Sequence, residues 1–134
     1  MGNNTLSNKS LGMLAEGIAV NTGIEELSFT HNDLSLENGR NFINSLKNLY
    51  NLRKLSLNSC LIETSLFEAL KESLRDTESL IALNLYSNDI NAEGMQLISE
   101  MLANKVNLRT LGLSNNIIGH GGARELANSL KHLK

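Results

Sequence analysis

Apolar residues recur along this chain in a fixed frame. Segments beginning at Ile24, Leu52, Leu80 and Leu108 read IEELSFTHNDL, LRKLSLNSCLI, LIALNLYSNDI and LRTLGLSNNII, and each start lies 28 residues after the one before. The N-terminus is in phase as well, since Asn4 and Leu6 match Asn32 and Leu34, and Met1 matches Phe29. In the first half of each unit apolar and polar positions alternate, the period of a short strand with one face buried. This predicts that Leu27 and Phe29, Leu55 and Leu57, Leu83 and Leu85, and Leu111 and Leu113 point inward. In the second half the spacing changes to threes and fours, one face of a helix. The residues are Phe42, Ile43 and Leu46; Phe67, Leu70 and Leu74; Met95, Ile98 and Leu102; and Ala123, Leu126, Ala127 and Leu130. Leu11, Leu14, Ala15 and Ile18 supply a partial leading unit.

One strand and one helix cannot cover their own apolar face, so neighbouring units must stack and share a core. Burying each inward leucine contributes roughly 1.5–3 kcal/mol before entropy is counted. The expected organisation is a single domain over 1–134, with a partial repeat at 1–23 and repeats at 24–51, 52–79, 80–107 and 108–134.

Each unit reads L-x-x-L-x-L-x-x-N-x-L, with Asn32, Asn88 and Asn116 at the asparagine position and Cys60 there in the second repeat. The frame, its period and these asparagines resemble the leucine-rich repeat family, specifically its ribonuclease-inhibitor-like class. The resemblance covers essentially the whole chain. It implies an α/β solenoid, a horseshoe arc with short parallel strands on the concave face and helices on the convex face. It also implies a protein-binding scaffold, since the class includes ribonuclease inhibitor, sensor regions of NOD-like receptors, tropomodulin and the activator of the Ran GTPase. The asparagines are expected to bond backbone groups that the tight turn leaves unpaired. Cys60 is expected to be buried and inert.

Net charge is −2 and the pI about 5.9 over 134 residues, so the basic field that nucleic acid requires is missing. One cysteine excludes an intramolecular disulfide, and no Cys/His cluster has zinc spacing. No apolar run is long enough to cross a bilayer, and the N-terminus lacks the pattern of a secretion signal. The expectation is a cytoplasmic protein with no membrane partner. Met1-Gly2 raises myristoylation, but Leu6 stands where Ser or Thr is wanted. The sequons at Asn3 and Asn8 are read as chance, and the absence of proline speaks against a linker.

The stretch LSNNIIGHGGARELANSL, with Gly119, Gly121 and Gly122 between strand and helix, has the outline of a phosphate cradle. Ala123 and Arg124 follow where a lysine and hydroxyl would be needed, and Gly94 aligns with Gly122 in the preceding repeat. These glycines are read as architecture that lets a helix pack closely. His31, His120 and His132 occupy different repeat positions and form no ladder or metal cluster. Glu68, Lys71, Glu72 and Arg75 form a solvated helix face with local ion pairs. No cofactor, metal or catalytic constellation is expected.

Residues between the inward leucines escape the core constraint and are the expected partner contacts. They are Glu26, Ser28 and Thr30; Lys54, Ser56 and Asn58; Asn84 and Tyr86; and Thr110 and Ser114, with Ala82 and Gly112 among them. Tyr86 is the one aromatic anchor, and His31, Ser59, Ser87 and Asn115 border the set. The alternative function is regulation of an enzyme, such as activation of a small GTPase, with Arg53 and Arg109 at the strand entrances as its candidates. Leu108, Leu111, Leu113, Leu126 and Leu130 lack a following repeat. They are therefore expected to mark a fragment of a longer array, a short paralogue or an edge that self-associates.

Overall fold

A computed structural model of the chain describes residues 4–131. The readings placed on Met1, Gly2, Asn3 and His132 lie outside the described residues. Helix α1 (Asn8–Ala19) begins at Ser7, whose hydroxyl accepts the amide of Ser10 at 3.2 Å and so satisfies an N-terminal donor. There follow β1 (Glu26–Ser28), α2 (Gly39–Ser45) prolonged by a 3-10 turn at Leu46–Asn48, β2 (Lys54–Ser56), α3 (Thr64–Ser73) and β3 (Ala82–Asn84). The order ends with α4 (Ala92–Leu102), β4 (Thr110–Gly112) and α5 (Gly119–Leu130). Strand and helix alternate without exception among the described residues.

The four strands form one parallel sheet in sequence order. Leu27 pairs with Leu55, Leu55 with Leu83 and Leu83 with Leu111, so each partner lies 28 residues further on. Successive helices pack in the same order, from α1 on α2 to α4 on α5. Parallel strands in sequence order need a crossover between each pair, and the helices supply it.

Leu27, Leu55 and Leu83 are buried while their neighbours Glu26, Ser28 and Lys54 are exposed, so one face of the sheet is covered and the other open. The core continues from the covered face into the helices. At its near end the rings of Phe29 and Phe42 lie 4.1 Å apart, joining the exit of β1 to α2. Leu11, Phe67, Leu70, Met95 and Ile98 fill the same continuous cluster.

The last unit is less covered than the others, as expected for Leu111, Leu113, Leu126 and Leu130 though not for Leu108, which is buried. Leu111, Leu113 and Leu126 are only half-buried, Leu130 keeps 48% of its surface exposed, and Ala123 and Ala127 face solvent. Helix α5 packs on α4 along one side, where Gly122 and Ser129 are buried. A Cβ on Gly122 would come within 2.7 Å of Ile118 Cγ2 and 3.0 Å of Met95 Cβ, so this close approach requires glycine. Helix packing thereby accounts for Gly122, and a left-handed φ of 61° accounts for Gly119, where an added Cβ would meet open space.

Gly39 is the tightest of the described glycine positions. A Cβ there would lie 1.8 Å from the carbonyl oxygen of Leu34, a backbone atom that cannot step aside. Gly39→Ala is expected to lose about 3 kcal/mol or more. Gly17→Ala, in α1 with nothing within 4 Å of the added methyl, is expected to gain about 0.5–1 kcal/mol. Urea unfolding midpoints measured on the two variants check both signs.

Candidate functional site

The open face of the sheet is built in rows across the strands. The first row is Glu26, Lys54, Ala82 and Thr110; the second is Ser28, Ser56, Asn84 and Gly112. Beyond the strand ends the pairing continues, with the amides of His31, Ser59 and Ser87 donating to the carbonyls of Asn58, Tyr86 and Ser114. This brings Asn58, Tyr86 and Ser114 side by side, with Thr30 next to them. All ten residues expected to meet a partner are exposed or half-buried, and the strands bring them together on this side.

Polar side chains on this face hold one another. Lys54 Nζ lies 2.6 Å from Glu26 Oε1, an ion pair exposed enough to count for little in stability. The hydroxyl of Thr30 is 3.2 Å from that of Ser28 and 3.4 Å from that of Ser56. Asn58 Nδ2 donates to Ser56 Oγ at 3.0 Å, and Asn58 Oδ1 accepts the amide of Tyr86 at 2.9 Å. The phenol oxygen of Tyr86 accepts from Asn115 Nδ2 at 2.5 Å. Tyr86 is therefore fixed at both its backbone and its ring tip while 40% of its surface stays open. An aromatic held in one rotamer loses little further entropy when it is covered. Gly112 keeps the neighbouring position flat, since a Cβ there would strike Asn84 Oδ1 at 2.5 Å.

Behind this face the asparagine position works as expected. Asn88 Oδ1 accepts the amide of Cys60 at 2.9 Å, and its Nδ2 donates to the carbonyl of Leu57 at 2.8 Å. Asn116 repeats the arrangement one unit on, accepting from Asn88 and Ile90 at 2.9 and 3.0 Å and donating to Leu85 and Leu113. Asn32 Nδ2 donates to the carbonyls of Phe29 and Thr30. Cys60 substitutes with its thiol, which donates to the carbonyl of Phe29 at 3.0 Å. The thiol is fully buried, and this burial pushes its pKa up from 9.0 to about 11.

Several features lay beyond sequence reasoning. His31, Ser59, Ser87 and Asn115 all take left-handed backbone angles, with φ of 57°, 53°, 58° and 55°. Leu61 and Asp89 do the same two residues later, at 51° and 53°. A second polar ladder runs along the edge where the strands begin. There Asn51 Nδ2 donates to the carbonyl of Thr22, Ser79 Oγ to those of Tyr50 and Leu52, and Asn107 Nδ2 to that of Glu78. Their common spacing of 28 was the available signal. Lys105 had no such signal, since it aligns with the buried Leu49 and Thr77. It is itself buried, and its ammonium donates to the carbonyls of Leu74 and Arg75 at 2.6 and 2.9 Å, closing the end of α3. Burial pushes the Lys105 pKa down, and the nearby Asp76 and Glu78 offset part of that.

His31 and His120 are exposed, and no group of three or more His, Cys, Asp and Glu able to hold a metal occurs among the described residues. No described helix is long and apolar enough to cross a membrane. The charged face of α3 forms its ion pairs, Lys71 with Glu68 and Arg75 with Glu72, and Lys71 also reaches Glu100 of α4 at 3.0 Å.

No family model matches the chain. It is 32% identical over 128 residues to NLR family member X1 of Rattus norvegicus, across 96% of this chain and 12% of that protein. The chain thus spans a small part of that curated relative. An internalin of Listeria monocytogenes shares 17% identity with a TM-score of 0.34, over 87% of this chain and 48% of its own, too loose a likeness to bear on the fold. The recurrent leucine frame, the sheet paired unit to unit and the sequence likeness support the leucine-rich repeat family.

The buried thiol sets a pH dependence. Below pH 9 the thiol is protonated in both folded and unfolded chains, and its contribution to stability is fully present. Between pH 9 and about 11 only the unfolded thiol ionises, so stability falls as pH rises. Urea midpoints for wild type and Cys60→Ala should show this part of the decline in wild type alone. A thiol reagent at pH 8 should label Cys60 only as fast as the chain unfolds.

Proposed function

We propose that the chain is a ribonuclease-inhibitor-like solenoid of four 28-residue repeats and a partial leading one. The strands line its concave face and the helices its convex face, and the concave face holds a protein partner without catalysis. The contacts are Glu26, Ser28, Thr30, Lys54, Ser56, Asn58, Asn84, Tyr86, Thr110 and Ser114. The observation that carries this reading is the double fixing of Tyr86 by Asn58 and Asn115 within a mutually bonded polar platform. Leucine-rich repeat proteins generally serve as protein-binding modules, which fits a face with order but no reactive group.

The platform also defines the partner's chemistry. Amide and hydroxyl groups dominate, and the strongest charges, Glu26 and Lys54, neutralise each other. A neutral, hydrogen-bonding protein surface with a pocket for one tyrosine ring suits it. We further place the protein in the cytoplasm. Its apolar side around β4 and α5, where Ile117 is 66% and Leu130 48% exposed, supports association with a second copy.

The combined substitution Tyr86→Ala and Lys54→Glu should weaken capture of a partner by about tenfold or more while leaving the unfolding free energy from urea titration within about 0.5 kcal/mol. Reversing Glu68 on α3 and Arg75 just beyond its end should change neither. Titration of the captured partner by surface plasmon resonance reads both results, and binding that depends on the helix variant instead would remove the sheet face.

A further inference from the structure

The edge where the strands begin carries a groove of about 420 Å³ along Asn51, Arg53, Ser79, Ile81, Asn107 and Arg109, with Glu25 at its end beside Arg53. Three successive repeats contribute two residues each, at matching positions. The donors of Asn51, Ser79 and Asn107 are turned inward to the second ladder. Among the described residues nothing donates to Asn51 Oδ1 or Asn107 Oδ1, so these oxygens remain acceptors for an incoming N–H.

The arginines are positioned but poorly compensated. Arg109 Nη1 donates to the carbonyls of Val106 and Leu108, both at 3.2 Å, which anchors the guanidinium, and it forms no ion pair with a described residue. Arg53 meets Glu25 at 4.0 Å with both side chains more than half exposed, a loose contact. Two guanidiniums thus stand on one edge of a chain whose net charge is −2.

Their spacing selects a ligand shape. Adjacent strands lie about 4.8 Å apart, so Arg53 and Arg109, two strands apart, sit roughly 10 Å from each other along the edge. A polyproline-type peptide rises about 3.1 Å per residue and returns to the same face every third residue, which sets carboxylates at i and i+3 about 9 Å apart. Ile81 lies between the arginines and offers an apolar seat for the intervening residues. We propose that this groove docks an acidic peptide segment in extended, polyproline-like form, with one carboxylate on each arginine and peptide N–H groups on the asparagine oxygens. A phosphate backbone would leave those acceptors unused; Glu25, which also lines the groove beside Arg53, opposes either anion alike and so does not choose between them. The groove is separate from the Tyr86 platform, so either surface can fail without the other.

Fluorescence anisotropy with a labelled nonapeptide carrying two glutamates three residues apart among prolines tests this on the whole chain. Saturable binding that weakens with added salt is expected, lost when both glutamates become glutamines and weaker when they are placed two apart. Arg53→Glu and Arg109→Glu should each weaken it by about threefold to tenfold, and Tyr86→Ala should leave it unchanged. Arg53→Gln and Arg109→Gln serve the same purpose where a reversed charge disturbs folding as seen by circular dichroism. Equal binding of the glutamine peptide, or undiminished binding by a folded double arginine variant, would overturn the proposal. So would a single-stranded oligonucleotide that binds the same arginines more tightly than the peptide.

Discussion

A turn that carries polar backbone into an apolar interior governs this structure. At each strand exit the chain passes through left-handed residues, at Ser59 and Leu61 and again at Ser87 and Asp89. Such angles are unfavourable for residues other than glycine by roughly 1–2 kcal/mol, and the reversal also buries amides that no helix or strand can pair. The side chain of the next repeat resolves the second problem. Asn88 takes up the amide of Cys60, and Asn116 those of Asn88 and Ile90. A buried amide left unpaired would cost about 1–3 kcal/mol, enough to matter against the whole stability of a domain this size. The second and third repeats are each completed by the one that follows.

That dependence shapes everything outward from the turn. Because each of these units is finished by the next, the strands must align residue for residue, and the rows of the open face follow from the alignment. Tyr86 is fixed because Asn58 lies one strand before it and Asn115 one strand after. The same alignment sets Arg53 and Arg109 in one line along the other edge. The apolar core obeys it too, with Leu27, Leu55 and Leu83 buried in register and protection fading only toward Leu111 and Leu113.

The leucine frame made strands, helices and their pairing legible, since alternation and helical spacing are direct consequences of burial on one face. The asparagine ladder was legible for a related reason: a polar residue recurring in an apolar frame has a partner to satisfy. Left-handed angles at Ser59 and Leu61 were not, because nothing in those residue types favours φ near 50° and only the geometry of the turn imposes it. Lys105 was hidden because its aligned neighbours are apolar or hydroxylic, and its role depends on where α3 happens to end. Which residues share the open face could be read from alternation alone. How they bond there could not, because that depends on side chains one strand apart.

Amide hydrogen exchange followed by NMR in wild type and Asn116→Ala tests the central dependence most directly. Completion of one repeat by the next requires the amides of Asn88 and Ile90 to be strongly protected in wild type. In the variant they should exchange at least about tenfold faster while Leu57 and Ser59, bonded between earlier strands, hold their protection. Unchanged protection of Asn88 and Ile90 without the Asn116 side chain would contradict it.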